Sequence, residues 1–229
     1  MQAFRRGFTL IELMLAVAII GVLIAIMVPA FAAGTRVAQA VACQNQIRQI
    51  GLATRLYARD NDGRMPRSSH SALAARTRPW GYALMPYLGY GQYTKPGPEW
   101  DAIFNGFYRC PEDSRRKEWS YGKNVWFELS PGEMDEAGGA ANGMTYEYIE
   151  SIRRPSSTIL YGELASGSMG DHIMAHYWYM GGAPEVDARR HGTTSNYAFV
   201  DGHVEALEFK QTFDLQANVD LWDPGKAHR

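Results

Sequence analysis

Residues 5 to 33 decide how this chain is read: Arg5-Arg6-Gly7-Phe8-Thr9-Leu10-Ile11-Glu12, then an apolar run from Leu13 to Ala33. The run holds 21 residues without an ionisable group. A helix needs about 20 apolar residues to cross a hydrocarbon core of about 30 Å. Arg5 and Arg6 lie on the short amino-terminal side, so the positive-inside bias puts that end in the cytoplasm and the remainder outside. A plain membrane anchor accounts for everything here except Glu12. A secretory signal peptide is the second reading, because Ala30-Phe31-Ala32 has small residues at cleavage-site spacing. Its apolar stretch is longer than such signals carry, and it has a carboxylate at its start. The third reading is a membrane helix whose Glu12 is kept because something pairs with it, since an acid within a span is costly and marks function by default.

The segment Gly7-Phe8-Thr9-Leu10-Ile11-Glu12 resembles the processing site of type IV pilins and of the pseudopilins of type II secretion. The resemblance implies cleavage by a prepilin peptidase between Gly7 and Phe8, and methylation of the new amine of Phe8. It places Glu12 where that family keeps its assembly carboxylate. Gly21 and Pro29 match positions where pilin helices carry a glycine and a proline. Physically, cleavage creates a cation at Phe8 near the depth of Glu12. In a staggered bundle, the glutamate of one subunit meets the amine of the next and offsets the desolvation of both.

Beyond the span, Val37, Ala40, Val41, Gln44, Ile47, Ile50, Ala53 and Tyr57 recur at helical spacing, with arginines on the other faces. One helix from Phe8 to Arg59 would be roughly 78 Å long at 1.5 Å per residue. Pro29 lacks an amide proton and is expected to kink or locally open it. Asp60-Asn61-Asp62-Gly63 ends it as a turn; the spacing of a calcium loop is not continued. The chain thus divides into a leader (1–7), a transmembrane and assembly helix (8–33), an amphipathic stalk (34–62) and a β-rich extracytoplasmic domain (63–229).

Cys43 and Cys110 are the two cysteines. In an exported chain both lie in an oxidising space, which favours a disulfide worth up to about 4 kcal/mol on the chain-entropy argument. Two separate buried thiols are the alternative. The net charge of −1 gives no electrostatic case for a nucleic-acid partner.

Residues 64–118 read as irregular and proline-punctuated, with one short helix over 81–88. A strand is expected through Val125 and Phe127, a surface loop over 130–144, a helical turn over 147–152 and a core strand over 157–162. Residues 166–190 read as a loop with one strand over 174–179. Asp201-Gly202, between 196–200 and 203–207, is expected to make a two-residue type I′ hairpin turn. This strand pair is expected to lay a sheet on the stalk helix.

Cys43 to Leu52, Tyr108 to Asp113 and Ser120 to Asn124 look like a bacterial subgroup of pilin-like proteins. That subgroup ends in a histidine, nine residues, then Asp-Gly. His191, Asp201 and Gly202 fit this pattern, and the residues themselves are read as structural, His191 hydrogen-bonding near the hairpin turn. His172, His176, His191, His203, Asp171 and Asp201 are types that zinc takes, but their spacing is weak evidence for a metal site, since His172 and His176 would share a face only if their loop were helical. No catalytic triad is legible either, so neither an enzymatic role, a cofactor nor a metal is assigned.

The reading is therefore an α+β, type IV pilin-like protein: a long amino-terminal helix packed on a small antiparallel sheet with long irregular loops. It implies a pseudopilin or minor pilin of the bacterial inner membrane, with its carboxy-terminal domain in the periplasm or at the cell surface. Its partners are the prepilin peptidase and other pilin subunits. The rival is a membrane-anchored module whose Trp80, Trp100, Trp119, Trp126 and Trp178 hold polysaccharide or another exported ligand.

Overall fold

A computed structural model describes residues 8–91, 97–115, 117–136, 145–168 and 170–228. The leader, residues 1–7, and the second half of the predicted surface loop, residues 137–144, lie outside the described residues. Helix α1 (Leu10–Asp60) runs through Pro29 without a break in its assignment. The chain divides into two compact units, residues 1–39 and 40–229.

In the first unit the apolar side chains of α1 face outward. Leu13, Ile19, Leu23, Ile26 and Phe31 are all more than half exposed. By length and composition this helix is able to cross a membrane, and none of its most apolar window is buried within the chain. Among the described residues no packing accounts for this apolar composition.

In the second unit α1 presents Cys43, Ile47, Ile50, Gly51, Thr54 and Ala58 to the core. These positions recur every three or four residues, the stripe a helix must bury. The stripe differs from the predicted one. Val41 is half exposed, and Cys43, Thr54 and Ala58 are buried where Gln44 and Tyr57 were expected. The surface beneath is polar enough to select Thr54, whose hydroxyl lies 2.8 Å from the Tyr161 hydroxyl. Helix α1 ends as the sequence implied: Gly63, at φ +80°, donates its amide to the Ala58 carbonyl.

Three short helices follow, α2 (Ser69–Ala72), α3 (Trp80–Ala83) and α4 (Pro98–Phe107), with a 3₁₀ turn at Met85–Leu88. The single helix expected over 81–88 is thus split at Leu84. Helix α4 corrects the irregular reading of this region. Pro98 stands within the first turn, where a proline starts a helix rather than breaking it, and Glu99 and Asp101 complement the helix dipole.

Strand β1 (Tyr121–Asn124) stops before Val125, which opens a 3₁₀ turn as Asn124 accepts the Trp126 amide. Helix α5 (Pro131–Glu136) replaces the first half of the predicted loop. Ser130 and Glu133 cap each other's amides at its start. Strands β2 (Ile159–Glu163), β3 (His172–Ile173), β4 (Ser195–Phe199) and β5 (Val204–Leu207) complete the main sheet, and β6 (Phe213–Asp214) pairs with β7 (Val219–Asp220). The strand expected over 174–179 is a 3₁₀ helix, Ala175–Met180.

The sheet order is β3-β1-β2-β4-β5. It is mixed, not purely antiparallel, because β3 joins β1 in parallel. Every residue of β2 is buried. Tyr161 reaches Thr54 of α1 on one face, while on the other the missing Cβ of Gly162 leaves room for Trp222. A Cβ there would stand 2.7 Å from the Trp222 ring. The sheet therefore lies between α1 and the carboxy-terminal tail.

The β4–β5 turn is also corrected. Its loop is Val200-Asp201-Gly202, and Phe199 accepts from the Gly202 amide. Only Gly202 has positive φ, at +94°. A type I′ turn needs positive φ at both central residues, so this is a three-residue hairpin with its glycine in the bulge position. Arg55 of α1 donates to the Val200 carbonyl at 2.9 Å, which ties the turn to the helix.

Candidate functional site

At the amino-terminal end the residues themselves make a capping box. Thr9 donates its amide and its hydroxyl to one Glu12 carboxylate oxygen, each at 2.8 Å, and the Glu12 amide lies 3.3 Å from the Thr9 hydroxyl. This satisfies donors that the first turn of α1 leaves open. Glu12 thus has a local role that the spacing Thr9-x-x-Glu12 already announces and that the sequence reading overlooked. Phe8 is largely exposed. Gly7 lies outside the described residues, and an added Cβ at Gly21 would meet nothing within 4 Å.

The second site is built around His191, which enters β4 through an isolated bridge to Thr194. Its Nδ1 is 2.7 Å from Glu112 Oε2, and its Nε2 is 2.9 Å from Glu163 Oε1. Glu163 ends β2 and is fully buried; its other oxygen accepts the Ser195 hydroxyl and the Asn196 amide, both at 2.8 Å. The Cys43–Cys110 disulfide (Cα–Cα 4.9 Å) lies beside the imidazole, with Cys110 Sγ 3.8 Å from Nε2. Next to it Arg190 donates to the Ser120 carbonyl and faces Asp113. Burial would raise Asp113, but Arg115, Ser120 and Arg190 hold it down to about 2.

His191 does not approach the hairpin turn, which corrects the predicted contact. Strand β4 separates the two, and Asp201 instead binds His203, 2.5 Å from its Nδ1. The late His and Asp residues are dispersed. His172 pairs with Asp171 at 3.2 Å, and His176 is buried beside Trp126 with Nδ1 unpartnered among the described residues. Burial, helped by His70, pushes His176 down to about 4. Among the described residues the group whose ligand atoms converge, all within 4.8 Å, is Cys43, Cys110, Glu163 and His191. Glu112 and Glu163 were missed by sequence reasoning. The available signal was an acid closing an otherwise apolar core strand at Glu163.

Burial would lower the His191 pKa, but hydrogen bonding to Glu163 and the charges of Glu163 and Glu112 outweigh it and raise it above 6.5. A raised folded pKa means the stabilisation is complete below the unfolded value and fades as pH climbs through the folded one. The thermal midpoint of the wild-type chain is therefore expected to fall from about pH 6 to about pH 9 more than that of His191→Gln. Parallel melting curves across that range check this, and equal slopes for the two proteins refute it.

The aromatic reading is also altered. Trp80, Trp100, Trp126 and Trp178 are core residues, each at most 6% exposed. Only Trp119 of the five is partly open, in a cleft of about 500 Å³ with Tyr82, Trp100, Phe104, Asp101 and Asp171 on its walls.

Residues 3–28 match the prokaryotic N-terminal methylation motif. The chain's amino-terminal segment carries a prepilin-like motif. The match spans 26 of the 229 residues and covers Gly7, Phe8 and Glu12 together with most of the apolar run. This motif together with the apolar helix points to anchoring in the inner membrane. No curated protein and no solved structure matches the chain.

Proposed function

We propose that this prepilin-like chain is a pseudopilin or minor pilin, cut between Gly7 and Phe8 by a prepilin peptidase and methylated on Phe8. Its role is structural. It assembles with other pilin-like subunits through α1 into a type II secretion or type IV pilus-like filament, with residues 63–229 on the outer side of the inner membrane. The methylation motif over residues 3–28 carries this reading. Supporting it, the large apolar side chains of the first unit are more than half exposed, as helices that meet lipid or other helices are. His191, Asp201 and Gly202 are read here as structural residues.

Intact mass and amino-terminal sequencing of the natural protein test the processing step. The expected terminus is methylated Phe8; a chain retaining Met1 to Gly7 sinks the proposal. Glu12 tests assembly. In the capping box it serves its own helix, whereas in a bundle its carboxylate also meets the Phe8 amine of a neighbour. Glu12→Gln keeps an acceptor for Thr9 but loses the charge. It is expected to be processed normally and to form about tenfold less crosslinked oligomer or more. Undiminished crosslinking leaves Glu12 as a cap alone.

An anchored module binding polysaccharide is the second reading. The cleft at Trp119 favours it, with an aromatic wall and the Asp101 carboxylate at its edge. It predicts saccharide-dependent quenching of tryptophan fluorescence that Trp119→Ala removes.

A further inference from the structure

We propose that in its dithiol state the globular unit binds one zinc ion through Cys43, Cys110, His191 and Glu163. These four are of the types zinc takes, two thiolates, an imidazole and a carboxylate. Bond lengths of 2.0 to 2.3 Å place tetrahedral donors roughly 3.3–3.8 Å apart. The Cys110 Sγ to His191 Nε2 separation is already 3.8 Å, and Nε2 lies 2.9 Å from Glu163 Oε1. All four donor atoms lie within 4.8 Å of one another; the bonded sulfurs have to separate, and Nε2 and Oε1 have to part by a few tenths of an ångström.

The surroundings are those of a ligand set held in place from behind. Glu112 takes His191 Nδ1 at 2.7 Å, which fixes the ring and aims Nε2 at the sulfurs. Carboxylates do this behind zinc-ligating histidines, and their loss costs about 10- to 100-fold in metal affinity. Ser195 and the Asn196 amide hold the far oxygen of Glu163 and leave Oε1 facing inward. Cys43, Cys110 and Glu163 are almost entirely buried, so the site excludes water. Disulfide and metal are mutually exclusive on the same two sulfurs, which makes the cluster a clasp with two closed forms.

The chemistry balances. The chain is synthesised as the dithiol. In the test a trialkylphosphine and one water convert the disulfide into two thiols and a phosphine oxide. Binding Zn²⁺ then releases both thiol protons, and the proton on His191 Nε2, to solvent.

The test uses the full chain in detergent micelles, reduced with phosphine and freed of reductant under anaerobic conditions, with Co²⁺ as the optical probe and Zn²⁺ as competitor. The expected result is one Co²⁺ per chain, with thiolate-to-cobalt charge-transfer absorption and tetrahedral d–d bands that Zn²⁺ abolishes. The oxidised chain shows neither. Glu112→Gln retains all four ligands and is expected to weaken binding about 10- to 100-fold. His191→Gln and Glu163→Gln are expected to weaken it at least as much. Near-UV circular dichroism of each oxidised variant establishes that it is folded, and Glu112→Gln carries the test if either ligand variant is not. A reduced chain without sulfur charge transfer overturns the proposal. So does equal uptake by the disulfide form or by Cys43→Ser/Cys110→Ser, or wild-type affinity in Glu112→Gln.

Discussion

Glu128→Ala is expected to cost the globular unit about 3–5 kcal/mol, a large fraction of the roughly 5–15 kcal/mol by which domains are stable. Glu128 and Lys123 are an ion pair at 2.8 Å with both side chains at 0% exposure. Burial lowers the Lys123 pKa, and the charge of Glu128 opposes it. The same carboxylate accepts the Ser68 amide at 2.8 Å, the Ser68 hydroxyl at 2.8 Å and the Ser71 hydroxyl at 2.6 Å. Alanine would leave an ammonium and three donors in the core without an acceptor. Removing both charges together is a different experiment. Lys123→Met with Glu128→Leu exchanges the pair for apolar packing, which often comes out near neutral. Urea unfolding of the full chain in micelles, followed by tryptophan fluorescence, compares the three proteins. A Glu128→Ala midpoint indistinguishable from wild type would mean the pair contributes nothing that water does not replace.

The disulfide carries the second large effect. Cys43 sits on the buried stripe of α1, and Cys110 follows α4 and the Trp80–Tyr108 aromatic contact. Their bond closes a sequence separation of 67 residues. Released from that constraint, the unfolded chain gains loop entropy, and Cys43→Ser/Cys110→Ser is expected to lose about 4 kcal/mol. The segment from α2 to α4 is tied to α1 by this bridge, by Gln46 Nε2 donating to the Gly106 carbonyl at 3.1 Å and by the Tyr57–Tyr87 ring contact. Limited proteolysis is therefore expected to cut the double-serine chain first within residues 64–118. Denaturant midpoints measure the loss. A double-serine chain as resistant as wild type to both urea and protease would show that packing alone holds α1 to that segment.

Several elements were legible because their causes are local. The apolar run of α1 carries its own signal in 21 consecutive residues, and Asp60 to Gly63 stops the helix with a positive-φ glycine. Ile159 and Leu160 announced β2, and Asp201-Gly202 announced the hairpin, though not its turn type. Turn type depends on the φ of Asp201, which pairing with β5 fixes and composition does not. Helix α4 was hidden by reading Pro98 as a breaker, and α5 by a run of Gly and Ala after its Ser130-Glu133 cap.

The tryptophans show the limit on the side of function. Trp119 and Trp126 are the same side chain, yet Trp126 is fully buried and Trp119 lines a cleft. Only the fold separates them. Taken alone, the sequence determined an apolar segment long enough to span a bilayer, its capped entry at Thr9 and Glu12, its end near Asp60, and an α+β body behind it. Those features arise from neighbours in the chain. Tertiary structure alone decided that Glu112, Glu163 and His191 meet beside Cys43 and Cys110. They come from segments up to 79 residues apart on the acid–histidine contacts, joined only once β1, β2 and β4 have paired beneath α1.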